Sequence, residues 1–88
     1  MYARVARHQG DPMRDVSPAP LVELEGVAGL MMLIDRRSGK GLGVVVFDSE
    51  EAMRRGDAAI NEYGPGTAGE TTSVEFYEVA VQNVIRDQ

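Results

Sequence analysis

Residues 26–48 carry two apolar runs joined by a short basic turn that is rich in glycine. The runs cover residues 30–34 and 42–47, and the turn covers residues 36–41. This pattern predicts a β-hairpin, with one strand over residues 30–35 and the next over residues 42–47. Neither run alternates apolar with polar residues, so neither strand has a face suited to water.

A long helix is predicted directly after the hairpin, over residues 49–63. We expect Asp48 to be its N-cap, with Glu51 in capping-box spacing. An apolar stripe follows at helical spacing, and Gly64-Pro65 ends the helix. Gly56 inside it is unfavourable for a helix and indicates a close approach of helix and sheet.

Two further strands complete the pattern. The first covers residues 1–7 and ends at the break around Gly10. The last covers residues 72–81 and follows a loop over residues 64–71. Its apolar positions change parity at Phe76 and Tyr77, which indicates either a bulge or a strand covered on both faces. The polar tail over residues 82–88 is a candidate strand extension towards a partner.

Residues 11–25 predict a shortened or broken helix. Asp11 and Pro12 form a helix start signal, but Pro18 and Pro20 follow within two turns. One turn fits before Ser17 and a second over residues 19–25.

The element order β–(short α)–β–β–α–β predicts one α+β domain over residues 1–88 with a ferredoxin-like fold. This fold has a four-stranded antiparallel sheet with helices on one face. The hairpin is apolar on both faces, because Met32 and Ile34 face one way while Met31 and Leu33 face the other. We therefore expect a homodimer in which two sheets pack face to face. The alternative is a monomer whose second face is covered by the loop and the tail.

Composition narrows the classes of function. The 88 residues carry a net charge of −5 and contain no cysteine and no tryptophan. An acidic chain is poorly suited to nucleic acid, because phosphate contacts dominate that affinity. No apolar run reaches the ~18 residues of a membrane helix, and the N-terminal residues have no apolar core of a signal peptide. A cytoplasmic protein is expected, with no membrane or nucleic-acid partner.

Three segments resemble the dimeric α/β-barrel superfamily, most closely its antibiotic-biosynthesis-monooxygenase-like domains. They are LEGVAGL at residues 24–30, LIDRRSGKGLGVVVFDSEEAM at 33–53 and SVEFYEVAV at 73–81. The first segment resembles the family's glycine-containing approach to strand two. The second resembles its Gly-Lys-Gly hairpin and the start of its main helix. The third resembles its last strand. Residues 2–7 match weakly.

The resemblance implies a pocket between sheet and helices in each protomer. Family members include cofactor-free oxygenases of aromatic polyketides, haem-degrading enzymes, isomerases and proteins without known activity. The oxygenases typically use an Asn, a Trp and an Arg, but this chain has no Trp, and Ala6 or His8 stands where the Asn is wanted. The haem degraders use a helical His, which residues 49–63 lack. The prolines shorten one wall of the pocket.

His8 is the one weak candidate for catalysis, as a general base near Asp11 and Asp15. Its alternative role is that of a surface or loop-anchoring histidine. The turn at residues 38–43 lacks the spacing of a phosphate loop and is interpreted as a hairpin turn. Neither a metal site nor a cofactor is expected.

A small apolar ligand could be lined by aromatic and methionine side chains. The candidates for this ligand pocket are Tyr2, Met32, Met53, Tyr63 and Tyr77. The alternative is that they form ordinary core. Arg4 and Arg7 on the first strand are expected to form ion pairs with Glu75 or Glu78 across the dimer interface, or to hold an anionic ligand.

Three functions follow from these observations. The first is a small homodimeric domain that binds a small hydrophobic ligand or assists a neighbouring enzyme. The second, which rests on the resemblance, is a cofactor-independent monooxygenase or related oxidoreductase of aromatic or quinone-like substrates. The third is a purely structural or regulatory homodimer.

Overall fold

The structure is a computed structural model that describes residues 1–11, 13, 23–63 and 70–81. The predicted broken helix over residues 11–25, the loop over 64–71 and the tail over 82–88 therefore lie largely or wholly outside the described residues. Asp15 also lies outside them.

Four strands and one helix make up the described part of the chain. They are β1 (Tyr2–Gln9), β2 (Val27–Ile34), β3 (Lys40–Phe47), α1 (Glu50–Tyr63) and β4 (Glu70–Glu78). The strands form one antiparallel sheet in the order β2-β3-β1-β4. The predicted α+β class with a four-stranded antiparallel sheet is thus confirmed, and the predicted strands and long helix differ from the observed ones by a few residues at their ends.

The register divides the sheet into two faces, because directly opposed residues of antiparallel strands share a face. The helix face carries Tyr2, Arg4, Leu30, Met32, Val45, Phe47 and Phe76, and α1 packs on it. The open face carries Val5, Arg7, Met31, Leu33, Leu42, Val44, Glu75 and Tyr77. The predicted division of the hairpin into two apolar faces is therefore confirmed.

The core lies between α1 and the centre of the helix face. Phe47 is fully buried there and forms a cluster with Val45, Ala52 and Met53. Gly56 sits directly over the Phe47 ring, and a Cβ atom at this position would collide with it. The close helix–sheet approach expected from Gly56 is confirmed, and it explains why a residue unfavourable for helices stands inside α1.

The helix begins one residue later than its sequence signal indicated. The Ser49 hydroxyl accepts a hydrogen bond from the Ala52 N–H at 3.1 Å, so Ser49 is the N-cap and the prediction of Asp48 is wrong. Asp48 instead uses its own N–H in a bond of 2.8 Å to the Gly26 carbonyl, which ties the end of β3 to the start of β2. Glu51 consequently leaves the capping-box position and pairs with Arg55 at 2.8 Å.

The irregularity in β4 lies elsewhere than the change of parity indicated. Arg7 pairs with Ser73 and His8 with Thr71, so the extra residue is Thr72. A bulge at Phe76 and Tyr77 is therefore wrong. The parity changes there because this part of the strand is regular and has one aromatic side chain on each face.

Candidate functional site

The open face is an apolar surface on which no described helix packs. Its exposed apolar side chains are Met31, Leu33 and Tyr77, which retain 57%, 47% and 50% of their accessible area. Met31 lies opposite Val44, and Leu33 lies opposite Leu42, so the apolar side chains are continuous from β2 to β3. Contiguous apolar surface of this kind marks interaction sites in soluble proteins.

One polar group interrupts this surface near β4. The Tyr77 hydroxyl donates a hydrogen bond to Glu75, and the Arg7 Nε lies 3.5 Å from the other carboxylate oxygen of Glu75. The bond from Tyr77, followed by that from Arg7, lowers the pKa of Glu75, and the Glu75 carboxylate raises the pKa of Tyr77. Arg7 thus pairs with Glu75 of its own chain, and the prediction that this pair crosses a dimer interface is wrong.

Arg4 lies on the opposite side of the sheet and is almost fully buried under α1. Its Nε donates to Asp57 Oδ1 at 2.8 Å, and its Nη2 lies 3.4 Å from Asn61 Oδ1. The prediction that Arg4 reaches Glu75 or Glu78 across a dimer interface is wrong. The reason is strand parity: Arg4 and Val45 share a row on the helix face, so the guanidinium meets the helix.

His8 is held at the bulge between β1 and β4. Its Nδ1 lies 3.3 Å from the Thr71 hydroxyl. A Cβ atom at Gly43 would lie 3.3 Å from His8 Nε2 and 3.5 Å from the Met32 sulfur, so the ring packs over this glycine beside Met32. Among the described residues, no group of three His, Asp or Glu side chains could hold a metal ion. A catalytic role for His8 stays a prediction.

The structure describes the side chains of four of the five predicted pocket residues, and these four do not share one site. Tyr2 packs against the core cluster that contains Met53. Met32 lies on the same face beside His8, whereas Tyr77 lies on the open face. Tyr63 is the last residue of α1, and its side chain is outside the described part. The structure therefore brings Tyr2 and Met53 together and separates Tyr77 from them by the sheet.

Described residues line two clefts that bear on the function. One of about 330 Å³ lies between α1 and β4, beside Met53, Asp57 and Phe76. A larger one of about 590 Å³ lies at the end of the sheet where the β2–β3 hairpin turns; Leu33, Lys40 and Leu42 are among its lining residues. The basic turn between two apolar runs is the one sequence feature that points to this second cleft.

Neither the helix of the described residues nor a comparison with known proteins indicates a function. The described residues contain no helix with the length and apolar character needed to cross a membrane. No protein-family model matches the chain, and no curated protein matches it either. The function therefore rests on the geometry of the sheet and its clefts.

Proposed function

We propose that the chain is a homodimeric module in which two open faces pack against each other, and that this dimer binds a small hydrophobic ligand or assists a neighbouring enzyme. The observation that carries the proposal is the exposure of Met31, Leu33 and Tyr77 on one continuous sheet face. Packing on an identical face removes these side chains from water.

The charges on the open face favour a second copy as the partner. Arg7 and Glu75 lie there as an internal pair, so their charges compensate each other before any partner arrives. An identical apolar face is therefore a suitable partner for its apolar rows.

The strand order supports a ferredoxin-like fold for the whole chain, and face-to-face pairing would make it a dimeric α/β barrel. β3 lies between β1 and β2, and β1 lies between β3 and β4, so both connections cross a neighbouring strand. Helix α1 makes the second crossing, and a short helix within residues 11–25 is proposed for the first. This arrangement agrees with the resemblance to antibiotic-biosynthesis-monooxygenase-like domains.

Sedimentation velocity of the wild-type chain and of Met31→Glu tests the dimer. We expect a dimer for the wild type and a folded monomer for the variant, because the introduced carboxylates would be buried without partners. Met13→Glu is the matched control, since Met13 is also exposed but lies outside the sheet, and it should remain dimeric. A wild-type monomer at every concentration, or a dimeric Met31→Glu, would refute the proposal.

A cofactor-independent monooxygenase is the second candidate, favoured by the cleft beside Met53 and Phe76 on the face where the resemblance puts a substrate. Oxygen uptake with anthrone-type substrates tests it, and its absence argues against it. A ligand screen by thermal shift then separates a binding module from a purely structural dimer, because only a bound ligand raises stability by mass action.

A further inference from the structure

We propose that the cleft at the hairpin end of the sheet binds a small amphiphilic anion, namely a carboxylate carried on an apolar group. This cleft has a volume of about 590 Å³, within the usual range for small-molecule sites. The inference deepens the proposed ligand-binding function by assigning it a site and a class of ligand. The cleft is lined by a single protomer, and because Leu33 also lies on the open face, the inference requires that the dimer leave the hairpin end of this face accessible.

The apolar part of the site is a row of side chains across three strands. Leu33 on β2 lies opposite Leu42 on β3, and Leu42 in turn lies opposite Arg7 on β1. Leu33 keeps nearly half of its area exposed. This row offers an alkyl or aryl group an apolar surface that ends at the Arg7 guanidinium, which is paired with Glu75, so the cation left for the ligand is Lys40.

The charged part of the site follows from an imbalance of ion pairs. Four of the described cationic side chains, Arg4, Arg7, Arg54 and Arg55, each contact a carboxylate. At the hairpin end, Arg37 and Lys40 have no ion pair among the described residues, although the whole chain carries a net charge of −5. Positive charge without an internal partner attracts an anion to this end.

Among the described residues that line the cleft, Asp35 carries the one carboxylate, and the turn holds it. Asp35 Oδ1 accepts the Arg37 backbone N–H at 2.9 Å. The Asp35 backbone N–H donates to the Lys40 carbonyl at 2.8 Å, and the Gly39 N–H donates to the Asp35 carbonyl at 2.9 Å. Asp35 is thus used to shape the turn.

The same turn is fixed from both of its sides, which reduces the ordering needed on binding. The Ser38 hydroxyl accepts the Lys40 backbone N–H at 3.2 Å, and the Ser38 carbonyl accepts the Gln9 side-chain amide at 2.8 Å. The Gly10 N–H donates to the Gly39 carbonyl at 3.1 Å. A preorganised turn that presents a cation beside an apolar row binds with less loss of conformational freedom.

Lys40 is the only lysine of the chain, which provides a direct probe of the site. Reductive dimethylation with ¹³C-formaldehyde keeps the charge of this amine and gives one lysine signal in NMR spectra. Titration with octanoate should shift that signal with saturation. Octanamide, which lacks the charge, and acetate, which lacks the apolar chain, should each bind more weakly.

The variants are compared through the amide signals of Gly41 and Leu42 in ¹⁵N-labelled protein. Lys40→Gln should weaken octanoate binding by roughly two- to fivefold, as expected for loss of one exposed charge pair, and Lys40→Arg should restore it. Arg55→Gln is the matched control, because it removes an exposed cation from α1, outside the cleft, and it should leave the affinity unchanged.

Three outcomes would overturn the inference. They are no saturable shift with octanoate, equal binding of octanamide, and an equal loss of affinity in Arg55→Gln and Lys40→Gln. Sedimentation velocity on the same samples keeps the two proposals apart. A dimer that does not bind octanoate would refute only the proposed anion site. A monomer that binds octanoate would refute only the proposed dimer.

Discussion

Glu75 is the residue through which pH acts on the open face. Its carboxylate accepts hydrogen bonds from Tyr77 and Arg7, and these bonds lower its pKa below the ordinary value. A lowered folded-state pKa means that ionised Glu75 stabilises the fold at pH values above the ordinary pKa of a glutamate. That contribution is lost as the pH falls through the lowered folded-state pKa.

We predict that Tyr77→Phe raises the pKa of Glu75 towards its ordinary value, because the hydrogen bond from Tyr77 is the largest cause of the shift. Arg7→Gln should also raise the pKa of Glu75, since Arg7 lowers it both through a hydrogen bond and through its charge. NMR titration of the Glu75 side-chain carboxyl carbon measures both effects. An unchanged Glu75 pKa in either variant would contradict the assignment of these two causes.

The ion-pair partner of Arg4 could not be predicted from the sequence. Its position on β1 was predicted, but its partner Asp57 lies 53 positions further along the chain. Only the strand register places the guanidinium on the helix face, where α1 presents Asp57 one turn before Asn61. Because the sequence does not show which parity of β1 meets the helix, a buried ion pair was interpreted as an interface pair.

At the scale of elements, the contact between α1 and β3 depends on the absence of a side chain at Gly56. The glycine allows the Phe47 ring to lie against the helix backbone, and both residues are buried. Intrinsic helix propensity alone would favour alanine at this position by about 1 kcal/mol. Packing and propensity therefore make opposite predictions for one substitution.

We predict that the packing effect is the larger one, so that Gly56→Ala lowers the free energy of unfolding by about 1–2 kcal/mol. The added methyl group collides with the Phe47 ring, and the cost of overpacking exceeds the gain in helix propensity. Urea denaturation measures the change.

Two further variants separate the collision from the helix propensity. Ala58→Gly, at an exposed position of α1, should destabilise by about 1 kcal/mol through propensity alone. In a Phe47→Leu background the smaller side chain leaves room, so Gly56→Ala should cost less there. Stabilisation by Gly56→Ala in the wild-type background would show that the helix moves away at little cost.

The strands and the long helix can largely be predicted from the sequence, because each has a local pattern of apolar and turn residues. The non-alternating runs predicted a hairpin with two apolar faces, and the register confirms that Met31 and Met32 point to opposite sides. The apolar stripe predicts the helix. The predicted N-cap is one residue too early, because Asp48 and Ser49 are both residues that favour this position. The Ser49 hydroxyl identifies the cap, because it accepts the hydrogen bond from the Ala52 N–H.

At the scale of the whole molecule, the sheet is unevenly covered. Helix α1 packs on one face, while the open face keeps exposed apolar side chains in the described part of the chain. The pattern of the hairpin predicted such a face. The hairpin-end cleft was missed, because it depends on how the turn places Lys40 relative to Leu33 and Leu42, which no short motif encodes.

The proposed dimer makes a further prediction about thermal stability. If folding and association are coupled, the melting temperature of the wild-type chain should rise with protein concentration, because dilution favours unfolded monomers. A tenfold increase adds ~1.4 kcal/mol shared by two chains, which corresponds to roughly 3–6 °C for domains of this size. Differential scanning calorimetry over a hundredfold range of concentration measures the shift.

Met31→Glu supplies the comparison for this measurement. As a monomer it should melt at one temperature whatever its concentration, whereas Met13→Glu should follow the wild type. A wild-type melting temperature that does not depend on concentration, together with monomeric sedimentation, would mean that the open face is covered within the chain. The apolar rows of β2 and β3 would then serve an intramolecular contact, and the dimer would have to be abandoned.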